Sequence, residues 1–538
     1  MFSWKVVHGG KTPPPGEVVR PDERLSWGRT AGLGAQHVIA MFGATFVFPL
    51  IMGLDPNLAI MMSGVATILF LLITQDRVPS YLGTSASFVG GVFAIRAAQD
   101  SDSVVTGAIL VAGLVLAAVG LAVNFAGMRV ISRVFPPVVT GGVVMLIGFG
   151  LAFVVADVYW QQDRWVAMIT MFALFLMTVV LRGFWSRIAI LLALVFGYAL
   201  SFLLDKAAGD ITSFNPGAGE VNTHPRVNFD SVKDASWIGF PDLTGPDFKF
   251  SAIVLVLPAV IALIAENTGH VKAVGAMTKT DLDPMIGRAL FADGVGTVVS
   301  TSVGGSPTTT YAENIGVMAA TRIYSTAAYY VAGLVAILFG LCPKFGALIA
   351  ATPGGVLGGI TVVLYGMIGL LGAKIWVENR VDFSNPINLV PIGAGIILAV
   401  GPVAHQISED FTLEGIALGT IVLLVGYHLM SAIAPKYMKD SLHDPAGYGD
   451  GTAMAVGRAG THQASGGEIG FDEGASTPPT SHPSSHRRDS DKDVRRDSDK
   501  DVRRDSDKDV RRDSDKDVRR DSDKDVGSAG GDDRETTR

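Results

Sequence analysis

The stretch Gly304–Arg322, GGSPTTTYAENIGVMAATR, places a Gly/Ser/Pro/Thr-rich segment and a carboxylate, Glu313, between apolar runs of transmembrane character. Unpaired backbone N–H and C=O groups are costly in hydrocarbon, so irregular backbone at this depth must be buried in protein or line a cavity. An ionisable residue there is by default a candidate for function. Broken helices whose half-helix ends point at a midplane site are typical of secondary transporters. The stretch therefore predicts a polytopic membrane transporter.

The composition supports a membrane protein. Hydrophobic residues make up 49% of the chain and charged residues only 17%. Runs such as Asn57–Thr74 are free of charge and match the roughly 17–25 residues that span a bilayer. Met1–Thr30 is polar and has no apolar core, so no cleavable signal peptide is predicted. The single cysteine, Cys342, excludes an intramolecular disulfide.

The apolar runs predict an all-α polytopic membrane protein with two sets of seven transmembrane segments. Fourteen spans are expected at about residues 31–54, 57–75, 83–97, 103–127, 137–158, 165–181, 188–204, 250–270, 288–303, 306–321, 324–348, 354–373, 386–404 and 413–434. The third and tenth spans are short and glycine-interrupted, and each is third in its set. Paired broken spans in matching positions indicate an inverted repeat with its binding site at the breaks.

This pattern divides the chain into five parts. They are an N-terminal tail at 1–30, a first seven-span repeat at 31–204, a loop at 205–249, a second repeat at 250–435 and a C-terminal tail at 436–538. Basic residues favour the cytoplasmic loops of membrane proteins. If both termini are cytoplasmic, the short outer loops hold only Arg96, Arg164 and Lys344 as basic residues. The sequence thus predicts a multi-pass protein of the cell inner or plasma membrane, with both termini inside and the 205–249 loop outside.

The C-terminal tail changes character after about Pro435. The octad RRDSDKDV repeats five times in tandem from Arg487 to Val526. Each octad balances its charges and carries a single apolar residue, so the tail cannot build a core and is predicted to be disordered. The alternative is a regulatory tail, because phosphorylation at Ser490 and its counterparts would make it strongly acidic.

The first candidate site residues are Glu266 and His270, in AENTGH near the end of an apolar span. Their i,i+4 spacing puts both on one helix face. The structural alternative is a helix-end charge that reaches the membrane interface, which suits the long stems of Lys and Arg better than a short Glu. Acids inside spans are expensive, so the pair is expected to be functional.

The two breaks provide the remaining candidates. Tyr311–Asn314 follows the Thr-rich break, where free backbone N–H groups at the start of a half-helix can serve as donors. Gly83–Phe88, the partner break, offers small hydroxyl side chains and one aromatic ring. A kinked helix for the former and close helix packing for the latter are the structural alternatives. Two carboxylates, backbone and hydroxyl donors and small residues together suit a neutral planar ligand with N–H donors and C=O acceptors, and suit an anion poorly.

These residues resemble the nucleobase/ascorbate transporter family, also called the nucleobase–cation symporter 2 family. Its signature has the form [QEP]-N-x-G-x4-T-[RKG], which Glu313–Gly316 and Thr321–Arg322 match in full. The pair Gln36-His37 in the first span is a second family mark. The similarity continues through Met41–Leu50 and Val78–Phe88, covers most of residues 31–434, and is closest to bacterial uracil permeases.

The resemblance implies a proton-coupled symporter that imports a nucleobase, with uracil favoured. It implies a core domain from spans 1–4 and 8–11, a gate domain from spans 5–7 and 12–14, short strand pieces at the two breaks, and dimers in several members. Glu266 and Glu313 correspond to the family's two substrate-contacting acids, and Glu266 with His270 to its proton-coupling pair. Further substrate-binding positions implied by the family are Tyr311, Ala312, Ala44, Ala86, Phe88 and Tyr365, and supporting positions are Gln36, His37, Asn314, Thr84, Ser85 and Asp293.

Two departures from the uracil permease pattern keep a xanthine or urate permease open. Ala86 stands where an aromatic residue often packs on the base, and Phe88 lies on the same face only if this piece is extended. Asp293, in FADGVG, stands where uracil permeases tend to have Asn. Glu313 argues for uracil, because the purine branch usually opens the signature with Gln.

The two other classes are a sulfate-carrier-type anion transporter and a membrane enzyme or receptor. A sulfate-carrier-type anion transporter shares the seven-plus-seven architecture, but Glu266 and Glu313 count against an anion. The spans carry no metal cluster, nucleotide loop or catalytic triad spacing, so we expect no enzyme, cofactor, metal or nucleic-acid partner. Substrate branch, proton versus sodium coupling and oligomeric state stay open at the level of sequence.

Overall fold

The computed structural model describes residues 3–14, 16–127, 129–215, 220–408 and 411–443. These residues belong to a compact unit, Met1–Ala453. The second unit, Met454–Arg538, and with it the five RRDSDKDV repeats predicted to be disordered, lies outside the described residues.

Helices coincide with all fourteen predicted spans. The first set comprises Trp27–Ala40 with Phe48–Met52, Pro56–Ile73, Val89–Ala97, Asp102–Ala126, Pro137–Gly150, Arg164–Val180 and Ala189–Ala208. The second set comprises Phe250–Val256 with Pro258–Thr278, Ile286–Thr301, Ala312–Thr321, Thr326–Gly340 with Pro343–Ala350, Gly354–Glu378, Pro386–Val400 and Gly415–Ile433. Shorter helices lie between or after them, at Arg129–Val134, Phe184–Arg187, Asp230–Asp234 and Lys436–His443.

The length and composition of these helices confirm a multi-pass membrane protein. Among the described residues, 7 helices are long and apolar enough to cross a membrane, and the number rises to 9 if each of two bent helix pairs is one span. The other predicted spans correspond to shorter helices, so the count of fourteen stays a prediction.

Two predicted spans are bent rather than straight. The first begins at Trp27, earlier than predicted, and bends by 56° between its two helices, with a π-helical turn at Gly43–Val47. The eleventh, predicted as one run over 324–348, bends by 80° between Gly340 and Pro343. Proline lacks a backbone N–H and favours the start of a helix, so a new helix begins at Pro343.

The third and tenth spans are broken, as expected. Leu82–Thr84 and Thr308–Thr310 form a two-stranded antiparallel sheet in which Gly83 pairs with Thr309. Each strand is followed by a short helix, Val89–Ala97 or Ala312–Thr321. Because the strands are antiparallel, the two helices leave the sheet in opposite directions. The strands satisfy the backbone of both breaks inside the protein, as irregular backbone at membrane depth requires.

Close helix packing depends on small residues. Asp102–Ala126 crosses Ile286–Thr301 so closely that a Cβ on Gly120 would lie 2.3 Å from the backbone N of Phe291. Pro137–Gly150 crosses Gly354–Glu378 in the same way, since a Cβ on Gly148 would lie 2.1 Å from the backbone N of Gly369. Interfaces of this kind are typical of membrane helices, which gain stability from close packing rather than from hydrophobic exclusion.

Three small sheets outside the spans were missed by the all-helical prediction. Ile211–Asn215 pairs with Glu220–His224, and Ala404–Ser408 pairs with Phe411–Glu414, each as an antiparallel hairpin. Lys5–Val6 pairs in parallel with Glu23–Arg24. These segments are short and polar, so hydrophobic periodicity could not reveal them. The segment before the first helix also contacts the rest of the protein, through a bridge between Val19 and Ile323.

Candidate functional site

The paired strands of the two breaks form the centre of the candidate site. Their hydroxyl and backbone groups are joined across the sheet: Thr84 Oγ1 lies 2.8 Å from Ser306 Oγ, and Ser85 N donates to Pro307 O at 2.9 Å. Tyr311, directly after the second strand, donates its hydroxyl to the carbonyl of Thr84. Sequence analysis named Thr84, Ser85 and Tyr311, and the structure brings them together.

Helix Pro258–Thr278 places Glu266 beside the second strand. Thr309 Oγ1 donates to Glu266 Oε2 at 3.5 Å, and the glutamate side chain is half-buried. The next strand residue, Thr310, donates to Asn267 Oδ1 at 3.3 Å. Two neighbouring residues of the strand, Thr309 and Thr310, thus bond to two consecutive residues of the helix, Glu266 and Asn267.

Asp293 bonds to Asn267, the residue next to Glu266. It is fully buried on helix Ile286–Thr301, and its Oδ2 accepts a hydrogen bond of 2.5 Å from Asn267 Nδ2. Its Oδ1 has no partner among the described residues. Asp293 thus contacts Asn267 directly, and the supporting role given to it from sequence stays a prediction.

His270 has a different partner from the one expected. Sequence analysis paired it with Glu266, one helical turn away. In the structure, His270 is buried and its Nε2 donates to the carbonyl oxygen of Pro79 at 3.4 Å. The histidine thus anchors helix Pro258–Thr278 to the first break, because a carbonyl can only accept and so fixes the proton on Nε2.

The second-break helix, Ala312–Thr321, carries the family signature and is called here the signature helix. Its Glu313 side chain is exposed, whereas Asn314 is fully buried. Asn314 Nδ2 donates to Tyr81 O at 3.1 Å, and Asn314 Oδ1 accepts from His37 Nδ1 at 2.9 Å. The His37 ring in turn packs on the ring of Tyr329, with centroids 4.3 Å apart. Asn314 therefore joins the signature helix to both the first break and the first span.

The rest of the signature ends this helix. Thr321 Oγ1 donates to Val317 O at 2.9 Å and accepts from Ile323 N at 3.3 Å. Arg322 is the C-cap in the left-handed conformation, with φ 57°. Gly316 faces another part of the chain, because a Cβ there would lie 2.9 Å from Arg187 Nη1. The signature thus supplies one exposed acid, one buried asparagine that bonds to two other segments, and the residues that end the helix.

The first break contributes fewer accessible side chains than predicted. Ala86–Phe88 forms a 3-10 turn rather than an extended piece, and Ser85 Oγ accepts from Ser87 N at 3.4 Å. Ala86 and Ser87 are half-buried, but Phe88 is fully buried in the core. Strand alternation therefore does not bring Phe88 beside Ala86, and the condition on which its ring could replace the missing aromatic is not met.

The remaining predicted residues are dispersed. Gln36 is half-buried next to His37 on the first helix. Tyr365 is buried on helix Gly354–Glu378, and its hydroxyl has no hydrogen-bond partner among the described residues. The side chains of Ala44 and Ala312 lie outside the described part of the structure, so their predicted contacts stay predictions.

Sequence reasoning missed the carbonyl groups that receive these side chains. Pro79, Tyr81 and Thr84 accept from His270, Asn314 and Tyr311, respectively. Backbone carbonyls carry no residue-specific signal, so only the pairing of the two breaks could reveal them. The position of Arg187 against the signature glycine also had no sequence signal.

Comparisons with known proteins identify the family of this chain. Residues 28–408 match the permease family (Xan_ur_permease). A protein of Escherichia coli (strain K12) named pyrimidine permease RutG is 43% identical over 430 residues, covering 79% of this chain and 93% of that protein. The uracil permease of Bacillus caldolyticus is 34% identical over 416 residues, covering 74% of this chain and 91% of that protein.

Solved structures with a similar fold include two transporters. The transmembrane domain of a cyanobacterium bicarbonate transporter, BicA, aligns with a TM-score of 0.50 at 16% identity, covering 75% of this chain and 97% of that one. The murine Solute Carrier 26 family member A9 anion transporter aligns with a TM-score of 0.56 at 11% identity, covering 77% and 70%. At these identities the likeness concerns the fold alone.

Proposed function

The chain belongs to the permease family, and from that membership we propose that it is a proton-coupled symporter that imports a nucleobase, with uracil as the substrate. The observation that carries the proposal is the pair of carboxylates, Glu266 and Glu313, held at the two paired breaks. The names of the uracil and pyrimidine permeases at 34% and 43% identity support a pyrimidine.

The ligand class follows from the groups at the breaks. Glu313 is exposed and Glu266 is half-buried, so both offer acceptors to ring N–H groups. The start of the signature helix offers free backbone N–H groups to ring carbonyl oxygens. Ala86 leaves room for a flat ring. A neutral ring with alternating N–H and C=O groups satisfies this set, whereas an anion would be repelled by two acids.

Proton coupling is assigned to Glu266. A carboxyl taken out of water favours its neutral form, so it can hold a proton while the site is closed. Thr309 Oγ1 stabilises the ionised form by donating to it. Alternation between these two forms gives a proton carrier next to the substrate. His270 supports the carrier by fixing its helix to Pro79.

The architecture is part of the same proposal. Seven-plus-seven inverted repeats would put spans 1–4 and 8–11 into a core domain that holds the substrate, and spans 5–7 and 12–14 into a gate domain. Both termini would be cytoplasmic, the 205–249 loop would be external, and the protein would sit in the inner or plasma membrane as a homodimer. The antiparallel pairing of the two break strands supports the inverted relation of the halves.

Ligand-dependent melting of the purified protein tests the substrate. We expect uracil to raise the melting temperature more than xanthine, urate or sulfate does. Uptake into proteoliposomes under an imposed proton gradient, with a sodium gradient as the control, tests the coupling. Stabilisation by sulfate alone, with no response to any nucleobase, would contradict the proposal.

A xanthine or urate permease is the second candidate. Asp293 and the small Ala86 favour it, because both depart from the uracil pattern. The Glu313→Gln variant separates the two branches. If xanthine stabilises this variant but not the unchanged protein, residue 313 sets the substrate branch and the unchanged protein belongs with uracil. If xanthine already stabilises the unchanged protein more than uracil does, the second candidate is correct.

A further inference from the structure

Each half of the chain is preceded by a segment that crosses to the other half. Residues 17–25, called here the N-terminal strap, precede the first span and bind next to the signature helix of the second half. Thr244–Lys249, called here the loop strap, precedes the eighth span; Thr244 N donates to Val303 O of the second half at 3.1 Å, and the end of the strap binds where the third and fourth spans of the first half are connected. Sequence analysis treated both as connecting chain.

The N-terminal strap is bonded to the residues that directly follow the signature helix. Val19 N donates to Arg322 O at 3.0 Å, and Tyr324 N donates back to Val19 O at 2.8 Å. Thr326 N donates to Pro21 O at 3.1 Å. Val19 is fully buried and packs with Leu25 and Ile323 in a small core of its own. The strap therefore combines a backbone ladder with buried apolar contacts.

Trp4 adds a second attachment to the same region. Its indole Nε1 donates to Thr326 Oγ1 at 2.8 Å. Its ring meets the rings of Tyr330 and Trp27 edge-on, with centroids 5.5 and 6.2 Å away. Tyr330 also donates its hydroxyl to Asp76 Oδ1 at 2.8 Å, which extends the network to the end of the second span.

The loop strap is likewise bonded to residues that follow a short helix, here at the connection between the third and fourth spans. Asp247 N donates to Ser103 O at 2.8 Å, and Lys249 Nζ donates to both carboxylate oxygens of Asp100 at 2.8 and 3.0 Å. Asp100 closely follows helix Val89–Ala97, as Ile323 closely follows the signature helix. Both short helices are thus fixed at one end by the paired strands and at the other end by a strap.

We propose that the N-terminal strap is a positioning element that stays bound during transport and fixes the direction of the helix carrying Glu313. The signature helix has only 10 residues, too few to hold its place by helical stability alone. Small misplacements of an anchored group cost binding steeply. The proposal deepens the proposed function, on which it rests, by naming Val19 and Trp4 as residues that act on the substrate through Glu313.

Release of the strap is the first test. Val19→Pro removes the donor to Arg322 O, and Trp4→Ala removes the second attachment. We expect each to weaken uracil binding and uptake about tenfold and to speed hydrogen exchange at the amides of Tyr324 and Thr326. Trp4→Phe, which keeps the ring and loses only the N–H bond, should have a smaller effect. Lys11→Ala, on an exposed residue of the N-terminal tail outside the strap, should change neither property.

Freed amides at Tyr324 and Thr326 with unchanged uracil affinity and uptake would overturn the proposal. Hydrogen exchange does not require substrate, so the two proposals fail separately. If the unchanged protein binds no nucleobase, the proposed function is wrong. The strap proposal is then judged on whether exchange across Ala312–Thr321 rises in Val19→Pro, and an unchanged rate overturns it.

A disulfide tests whether the strap stays bound. Val19 and Ile323 are bridge partners, and neighbouring strands lie about 4.8 Å apart, within the roughly 4.4–6.8 Å between Cα atoms that a disulfide spans. The pair Val19→Cys and Ile323→Cys is made in a Cys342→Ser background, which removes the natural cysteine. We expect the oxidised and reduced forms to take up uracil at rates within about twofold of each other. Loss of uptake on oxidation, restored by reductant, would show that the strap has to move and would overturn the proposal.

Discussion

The two breaks share a backbone plan but differ in chemistry. Each consists of a short strand and a short helix, and the strands pair with each other. The first break, from Leu82 to Ala97, holds one charged residue, Arg96 near its end, whereas the second presents Glu313 and faces Glu266. Carbonyl groups in and just before the first break instead accept from three side chains of the second half. The second half supplies the acids, and the first half supplies carbonyl groups that orient other polar side chains of the second half.

This division has a physical reason. A buried acid is expensive, and each further acid in the same site adds repulsion. The second half places Thr309 and Asn267 beside two of its acids, Glu266 and Asp293. The carbonyls at Pro79 and Tyr81 orient His270 and Asn314 at no cost in charge. The two breaks therefore share one backbone scaffold, whereas the acids lie in the second half alone among the residues of this site.

The largest expected effect is on Glu266. Glu266→Gln keeps the size of the side chain but removes the proton carrier, so concentrative uptake should fall about a hundredfold, equivalent to ~2.8 kcal/mol. Uracil accumulation in proteoliposomes under a proton gradient measures this. Glu378→Gln, at the exposed end of another helix, is the matched control and should accumulate normally. Full accumulation by Glu266→Gln would move proton coupling elsewhere.

The next effect concerns the bridge between the halves. Asn314→Asp replaces the donor to Tyr81 O by a second acceptor, and an unsatisfied buried group costs about 1–3 kcal/mol. The melting temperature of the purified protein should fall accordingly. Asn379→Asp, on an exposed residue, should change the unfolding free energy by less than about 0.5 kcal/mol. Equal melting of both variants would show that the first break does not orient the signature helix through Asn314.

Uracil binding should depend on Glu313 of the second break more than on the Ser87 hydroxyl of the first break. Glu313→Ala removes an acceptor for a ring N–H and should weaken uracil binding about tenfold, or ~1.4 kcal/mol. Ser87→Ala, at the half-buried surface of the first break, should weaken it by less than about twofold. Methylation of a ring nitrogen should reproduce the Glu313→Ala loss. Similar losses of uracil affinity for Glu313→Ala and Ser87→Ala would show that the two breaks contribute equally to recognition.

A smaller effect is expected at the loop strap. Lys249 and Asp100 form a partly exposed ion pair, and such pairs contribute about 0.2–1 kcal/mol. Lys249→Asp should lower the melting temperature slightly, and the exchanged pair Lys249→Asp with Asp100→Lys should restore most of it. If the charge-swapped double variant does not regain stability, the hydrogen bond from Asp247 N to Ser103 O holds this strap without the ion pair.

The smallest effect is expected in the C-terminal tail. Deletion of residues 451–538, which contain the five repeats, should leave uptake and the melting temperature of the membrane region nearly unchanged. The repeats balance their charges, so they gain little of the roughly 1 kcal/mol per basic residue available at an anionic membrane surface. Lost transport at normal membrane levels would identify the tail as regulatory.

The sequence alone predicted which segments are helical, where two of them break, and which acids are candidates for function. Apolar runs report helices because each must present apolar side chains to lipid or to a neighbour, and the breaks appear as Gly, Pro, Ser and Thr inside such runs. Glu266 and Glu313 could be chosen because acids at this depth are rare. These properties are local, so the order of residues is enough to predict them.

The tertiary structure decided which groups meet. His37 and Asn314 are bonded although 277 positions separate them, and Trp4 reaches Thr326 across 322 positions. Such contacts depend on how the two halves interlock, and three of the decisive partners, at Pro79, Tyr81 and Thr84, are carbonyl groups that every residue possesses. Phe88 is buried for the same reason, because the 3-10 turn that rotates its ring inward is set by the packing of the break. Neither these contacts nor the two straps could be predicted from the order of residues, since both form only when the two halves pack against each other.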